Sequence, residues 1–179
     1  MRGAPHVFFT QKTFRNKNVT LLVHSTLLYY LTLHVRFATS TSPSQLVEVF
    51  AYENPNSQTE AVTSNGSLPT VYPTTLVYQF NGLFTKERLF VFSVGVGAHW
   101  SLNPKSLDGL FSSSAWMERE VSEMHGVCFE GKKDLRNLML QYGDSSTPFL
   151  KHYPSIGTKE VFYDAVTDTL VQVPTSLQL

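Results

Sequence analysis

Residues 114–136 read SAWMEREVSEMHGVCFEGKKDLR and bring Glu118, Glu120, Glu123 and Asp134 together with Arg119, Arg136, His125 and the single cysteine, Cys128. Closely spaced carboxylates are what general acid–base chemistry uses, one giving a proton while another takes it. His125 and Cys128 form H-x-x-C, two soft ligands at a spacing a metal ion can bridge. Each reading has a plainer rival. Arg119 and Glu123 stand four residues apart, so on a helix they form an outward-facing ion pair. Cys128 would fall on an apolar stripe, where a small buried side chain is the default. No second Cys or His pair stands at ligand spacing, because His6, His24, His34, His99 and His152 are scattered.

Elsewhere the chemical motifs are weaker. GVGAHW, residues 95–100, lacks the third glycine of a dinucleotide fingerprint and reads as a turn after an edge strand. There is no Gly-x-Ser-x-Gly, no phosphate-binding loop and no Cys–His dyad context. The residues alone describe a non-catalytic α/β domain with an adhesive arm. An independent enzyme using the Glu118–Glu123 cluster is the alternative.

The elements that must hold these residues follow from periodicity. Val19–Val23 is β-favouring, and Ser25 is placed to cap a helix with Leu27, Leu28, Leu31 and Val35 on one face. Residues 45–52 form a second strand. Leu76–Phe80 and Arg88–Val94 form an antiparallel hairpin, with Asn81-Gly82 as its turn pair. Asn103-Pro104 opens a helix carrying Leu107, Leu110 and Phe111. On the next helix Met117, Val121, Met124 and Cys128 share a stripe. Glu120 sits at the stripe's border, where it needs a cation, and Arg136 is the candidate within the chain. Gly126 ends the helix. Glu160–Tyr163 and Thr169–Val173 make a last hairpin.

The totals narrow the possibilities. The chain has 179 residues, 42% hydrophobic and 13% aromatic, enough for a core. Only 16% are charged, which suits a small protein covered by partners. A formal net charge of +0 gives no general attraction to nucleic acid or acidic lipid. One cysteine excludes an internal disulfide, a self-contained iron–sulfur cluster and a cysteine-rich zinc site. No Asp or Glu precedes Glu48, and this basic, hydroxyl-rich start reads as a targeting segment or a basic arm. Residues 19–35 are apolar but interrupted by His24, Ser25, Thr26, Thr32 and His34, so a buried strand and helix explain them better than a membrane span.

The stretch also resembles a family signature, that of the 30-kilodalton subunit of proton-pumping NADH:ubiquinone oxidoreductase (respiratory complex I), called subunit 9 when mitochondrially encoded. Its pattern runs W-x-E-R-E, two residues, an acid, two large apolar residues, Gly and then D-L-R. Trp116, Glu118, Arg119, Glu120, Glu123, Met124, Gly126, Phe129, Gly131, Asp134, Leu135 and Arg136 match in order. Tyr142-Gly143, Pro148, Lys151, Tyr153-Pro154, Gly157 and Glu160-Val161 follow its turn-rich tail, and the match runs from about Leu76 to the C-terminus. His125 stands where the pattern has an aromatic or aliphatic residue, and Lys132-Lys133 where it has His-Pro.

The resemblance implies a two-layer α/β (α+β) domain, a small mixed sheet packed against helices, plus an extended C-terminal arm. The expected division is a basic arm or targeting segment at 1–18, the domain at 19–140 with a loop insertion at 53–73, and the interaction arm at 141–179. The implied role is a non-catalytic subunit of a hetero-oligomer that packs on the 49-kilodalton quinone-site subunit. It would bind no cofactor, with FMN and iron–sulfur clusters in partner subunits and NADH and ubiquinone as substrates of the whole. The implied location is the matrix side of the mitochondrial inner membrane, or the cytoplasmic face of a bacterial plasma membrane, reached indirectly through the complex. The equivalent subunit of a membrane-bound hydrogenase-type oxidoreductase is an alternative. The signature positions Trp116, Glu118, Arg119, Glu120, Glu123, Gly126, Asp134, Leu135, Arg136, Lys151 and Pro154 are expected to act in structure or at an interface.

Overall fold

The computed structural model describes residues 9–13, 18–38, 44–53, 74–82, 88–96 and 103–176. Five strands, β1 (Phe9–Thr13), β2 (Asn18–His24), β3 (Ser44–Glu53), β4 (Thr74–Gly82) and β5 (Arg88–Val96), form one mixed sheet in the order β1-β2-β5-β4-β3. Two helices, α1 (Ser25–Phe37) and α2 (Ser114–His125), accompany it, and β6 (Lys159–Asp164) and β7 (Thr169–Pro174) form a separate hairpin. The expected two-layer α/β architecture is what the chain adopts.

Strand β2 pairs in parallel with β5, whereas β5 with β4 and β4 with β3 are antiparallel. Strands β2 and β3 therefore run the same way, and α1 carries the chain between them over the two positions that β4 and β5 later fill. The β4–β5 pairing matches the expected hairpin. Asn81 and Gly82, however, are not its turn: they pair with Gln45 and Ser44 as the last residues of β4. Strand β5 lies between β2 and β4, so GVGAHW does not follow an edge strand as expected. Its residues 97–100 and the expected insertion residues 54–73 lie outside the described residues.

Registration gathers the core on one sheet face. Leu46 opposes Phe80, Val49 opposes Tyr78, and Tyr78 opposes Val91 on its other side. These side chains pack with Leu28 and Val35 of α1 and Val121 of α2. Fully burying a side chain such as Leu28 contributes about 1.5–3 kcal/mol. The cap of α1 is one residue earlier than expected. The His24 ring accepts from the Thr26 amide at 3.5 Å, while Ser25 is the first helical residue with its hydroxyl buried.

The helix expected at Asn103-Pro104 does not form. The Ser106 amide donates to the Glu130 carbonyl and the Glu130 amide to the Pro104 carbonyl, each at 2.9 Å, a short parallel bridge. Leu107 and Phe111 are buried as anticipated, but a turn closes between them, with the Phe111 amide donating to the Leu107 carbonyl at 2.8 Å. Backbone groups here are committed to partners distant in sequence, so helical propensity is overridden. Among the described residues no helix is long and apolar enough to cross a membrane.

Candidate interaction site

Helix α2 carries the charged signature, and its side chains reach in three directions. Val121 enters the core. Glu118 is fully buried: one carboxylate oxygen accepts from the Ser106 hydroxyl at 2.6 Å and from Lys132 Nζ at 3.0 Å, the other from the Leu107 amide at 2.7 Å. The Lys132 side chain is equally buried, with 1% of its surface exposed. A buried carboxylate survives only when paired and hydrogen-bonded, and Glu118 is both. Its charge is felt nearby. Burial first, and the Glu118 carboxylate second, push the Tyr78 phenol well above its ordinary value.

Arg119 and Glu123 share a face, as the spacing requires, but that face does not look into solvent. Arg119 is buried. Its Nε donates to the Arg136 carbonyl at 2.8 Å and Nη2 to the Asn137 carbonyl at 3.2 Å, with Nη1 3.6 Å from Asp134. Glu123 accepts from three successive amides, those of Leu138, Met139 (2.8 Å) and Leu140 (3.3 Å). The expected outward ion pair is therefore corrected: both side chains bind the backbone of residues 136–140. Charge-assisted hydrogen bonds to unpaired backbone groups outcompete a solvent-exposed ion pair, which is worth little in water.

Two further expectations fail. Glu120 is half-buried and has no ion pair among the described residues, and Arg136 instead grips Asp134 through Nε (3.0 Å) and Nη2 (2.9 Å). That fork, together with the Arg136 amide, holds the Asp134 carboxyl well below the usual carboxylate range. Cys128 lies beyond the helix and is exposed, so the apolar stripe stops short of it. His125 is buried instead. No group of three or more His, Cys, Asp or Glu side chains suited to a metal ion gathers among the described residues.

Gly126 ends α2 in the left-handed region, at φ +69°, and its amide donates to the Ser122 carbonyl at 3.0 Å. A Cβ there would stand 3.2 Å from the Thr147 methyl. Gly126→Ala is therefore expected to lower stability by about 1–2 kcal/mol, mostly from the backbone, measured by thermal unfolding. Adding Thr147→Ser should relieve only the steric part.

The site's outer surface is apolar. Trp116 is 66% exposed, Leu135 72% and Tyr142 76%, while Met139 and Phe149 are also open. Leu135 also borders a cleft of about 230 Å³, lined among others by Arg119, Glu123, Arg136 and Thr147. Lys151 and Pro154 lie further along, exposed in the turns that precede the β6–β7 hairpin. The hairpin forms where expected, yet both its faces are open. What the sequence did not reveal is the 136–140 loop, whose backbone organises the site. A hydrophobic run without period, NLML, was the available signal.

This geometry holds a loop and presents apolar side chains, and the charges of Glu118, Arg119, Glu123 and Arg136 are engaged within the chain. Comparison with known proteins identifies the family. Residues 36–159 match the family described as respiratory-chain NADH dehydrogenase, 30 Kd subunit. NADH-ubiquinone oxidoreductase subunit 9 of Paramecium primaurelia is 35% identical over 136 residues, which are 73% of this chain and 59% of that protein. NADH-ubiquinone oxidoreductase subunit 9 of Dictyostelium discoideum is 34% identical over 102 residues, 57% of this chain and 47% of that protein. Among solved structures, the trypsin-resistant fragment (1-134) of Nqo5 superposes with a TM-score of 0.51 at 18% identity, over 72% of this chain and 89% of that one. That likeness concerns the fold. The chain thus spans less than two thirds of the length of these two curated relatives. The family match spans more than half of the chain and places it: the chain belongs to the respiratory-chain NADH dehydrogenase 30 kDa subunit family.

Proposed function

We propose that this chain is a non-catalytic subunit in the peripheral arm of a proton-pumping NADH:quinone oxidoreductase, supporting the quinone-reducing module. It packs on the 49-kilodalton subunit through residues 134–142 and the arm 141–179. Electrons pass from NADH through FMN and iron–sulfur clusters held by partner subunits to ubiquinone, and this chain binds none of those groups. The complex sits on the membrane and the chain reaches it through its partners, on the matrix side of a mitochondrial inner membrane in the reading favoured by the acid-free start. The signature residues act by holding the interface in shape.

One observation carries this reading. The signature's buried charges are spent on one another and on the chain's own backbone, while Leu135, Met139, Tyr142, Phe149, Val166 and Leu170 stand exposed. Exposed apolar residues in such number mark an association surface, because a free protein gains nothing from showing them to water. Paired substitution of Met139 and Tyr142 by aspartate is expected to prevent incorporation into the complex while the isolated chain unfolds at an unchanged temperature. Incorporation is read by native electrophoresis. Normal assembly of this variant would contradict the reading. Glu120→Gln distinguishes a catalytic role: NADH oxidation per assembled complex should be unchanged, whereas its loss in an intact complex would favour an enzyme built on the Glu118–Glu123 cluster.

A further inference from the structure

Residues 147–151 dock where α2 ends and β3 ends. The Phe149 amide donates to the Met124 carbonyl at 3.1 Å, and the Lys151 amide donates to the Glu53 carboxylate at 2.6 Å. Between these contacts lies the His125 ring, edge-on to the Phe149 ring with centroids 5.4 Å apart and planes at 74°. His125 is 9% exposed, and its Nδ1 is buried without a hydrogen-bond partner. A neutral imidazole tolerates that setting, with an aromatic edge on one side and an unmet nitrogen on the other. An imidazolium would place a second N–H donor in a space that offers Nδ1 no acceptor.

We propose that His125 is a proton-sensitive joint: its neutral ring holds residues 147–151 against the domain, and its protonation releases them. This rests on contacts within the chain and is independent of any partner. The surrounding charges are few. On β3, the Glu53 carboxylate and the Ala51 carbonyl both favour the charged ring, but burial outweighs them and lowers the His125 pKa from 6.5. On α2, Glu123 is committed to the 138–140 amides, and on the arm Lys151 and His152 are exposed. The docked state binds fewer protons than the released one, so docking is complete above pH 6.5 and weakens as pH falls toward and through the docked pKa. The greatest slope for one proton is about tenfold per pH unit.

Amide hydrogen exchange of the full 179-residue chain, corrected for the intrinsic rate at each pH, tests this between about pH 7.5 and 5.5. Protection of the Phe149 and Lys151 amides should fall with acid in the native chain, persist in His125→Phe, and still fall in Glu53→Gln. An equal fall in His125→Phe, or a pH-independent Glu53→Gln, would assign the effect elsewhere and overturn the proposal. Should His125→Phe fail to fold, the ring itself decides the matter by proton resonance titration of the native chain. A ring that titrates below 6.5 and moves back toward it in Phe149→Ala supports the joint, and one titrating at or above 6.5 in the native chain overturns it.

Discussion

Glu118→Ala is expected to cost about 3–5 kcal/mol of folding stability, because it strands a buried lysine charge. The Lys132 side chain is 1% exposed, and its ammonium lies 3.0 Å from the carboxylate that would be removed. The Leu107 amide and the Ser106 hydroxyl would lose the same acceptor, freeing the turn that places Leu107 and Phe111 in the core. Lys132→Met should be comparably harmful, since it leaves the carboxylate buried without its cation. The double replacement Glu118→Leu with Lys132→Met removes both charges and should be less destabilised than either single variant, a non-additivity expected of a directly coupled pair. Denaturant unfolding of the native chain, Glu118→Leu, Lys132→Met and the double variant measures the coupling. Additive losses would mean that the pair is not the element holding residues 106–107.

The second large effect is expected at Arg119. Arg119→Lys keeps the charge but loses the planar fork that reaches two carbonyls at once, at 2.8 and 3.2 Å, so it should fail to rescue the loop. The loss is about 1.5–3 kcal/mol for each hydrogen bond to a charged group that is not re-formed. Its signature is local. Exchange protection at Leu138, Met139 and Leu140 should collapse while the sheet stays protected, and assembly with partner subunits should fall with it. Glu123→Gln should produce a weaker form of the same defect, because its amide nitrogen cannot accept from a backbone N–H. Protected 138–140 amides in Arg119→Lys would show that the loop stands without that anchor.

Local signals made much of the fold legible. The β-favouring run Val19–Val23, the helical spacing of Leu27, Leu28, Leu31 and Val35, and the runs Leu76–Phe80 and Arg88–Val94 each point to one element, and each element is present. Gly126 was readable as a helix end because the left-handed turn that closes α2 favours a residue without Cβ. The failures share a physical cause. Arg119 and Glu123 at i,i+4 look like a solvated pair until the backbone of 136–140, distant in sequence, is laid across them. Asn103-Pro104 looks like a helix start until Glu118 takes the Leu107 amide and Glu130 takes the Ser106 amide. Periodicity cannot report which long-range backbone groups will claim a side chain. Glu120 was given to Arg136 on the same incomplete grounds, when Asp134, two residues away from Arg136, was the nearer partner.

The candidate site divides in the same way. The residue types, their order and their family likeness were visible in the sequence. Their assignment was not: charges expected to face outward lie inside, and Leu135 and Trp116 stand in the open. A signature dense in charge thus builds an apolar surface, with acids and bases serving as its internal supports.

Affinity capture of the tagged chain from gently solubilised membranes of its own cells tests the central claim most directly. Membership of the complex predicts recovery in a large assembly that oxidises NADH, contains a flavin-bearing protein and reduces quinone. Recovery as a stable, solitary monomer, or in an assembly with a nickel–iron protein and no flavin, would contradict it.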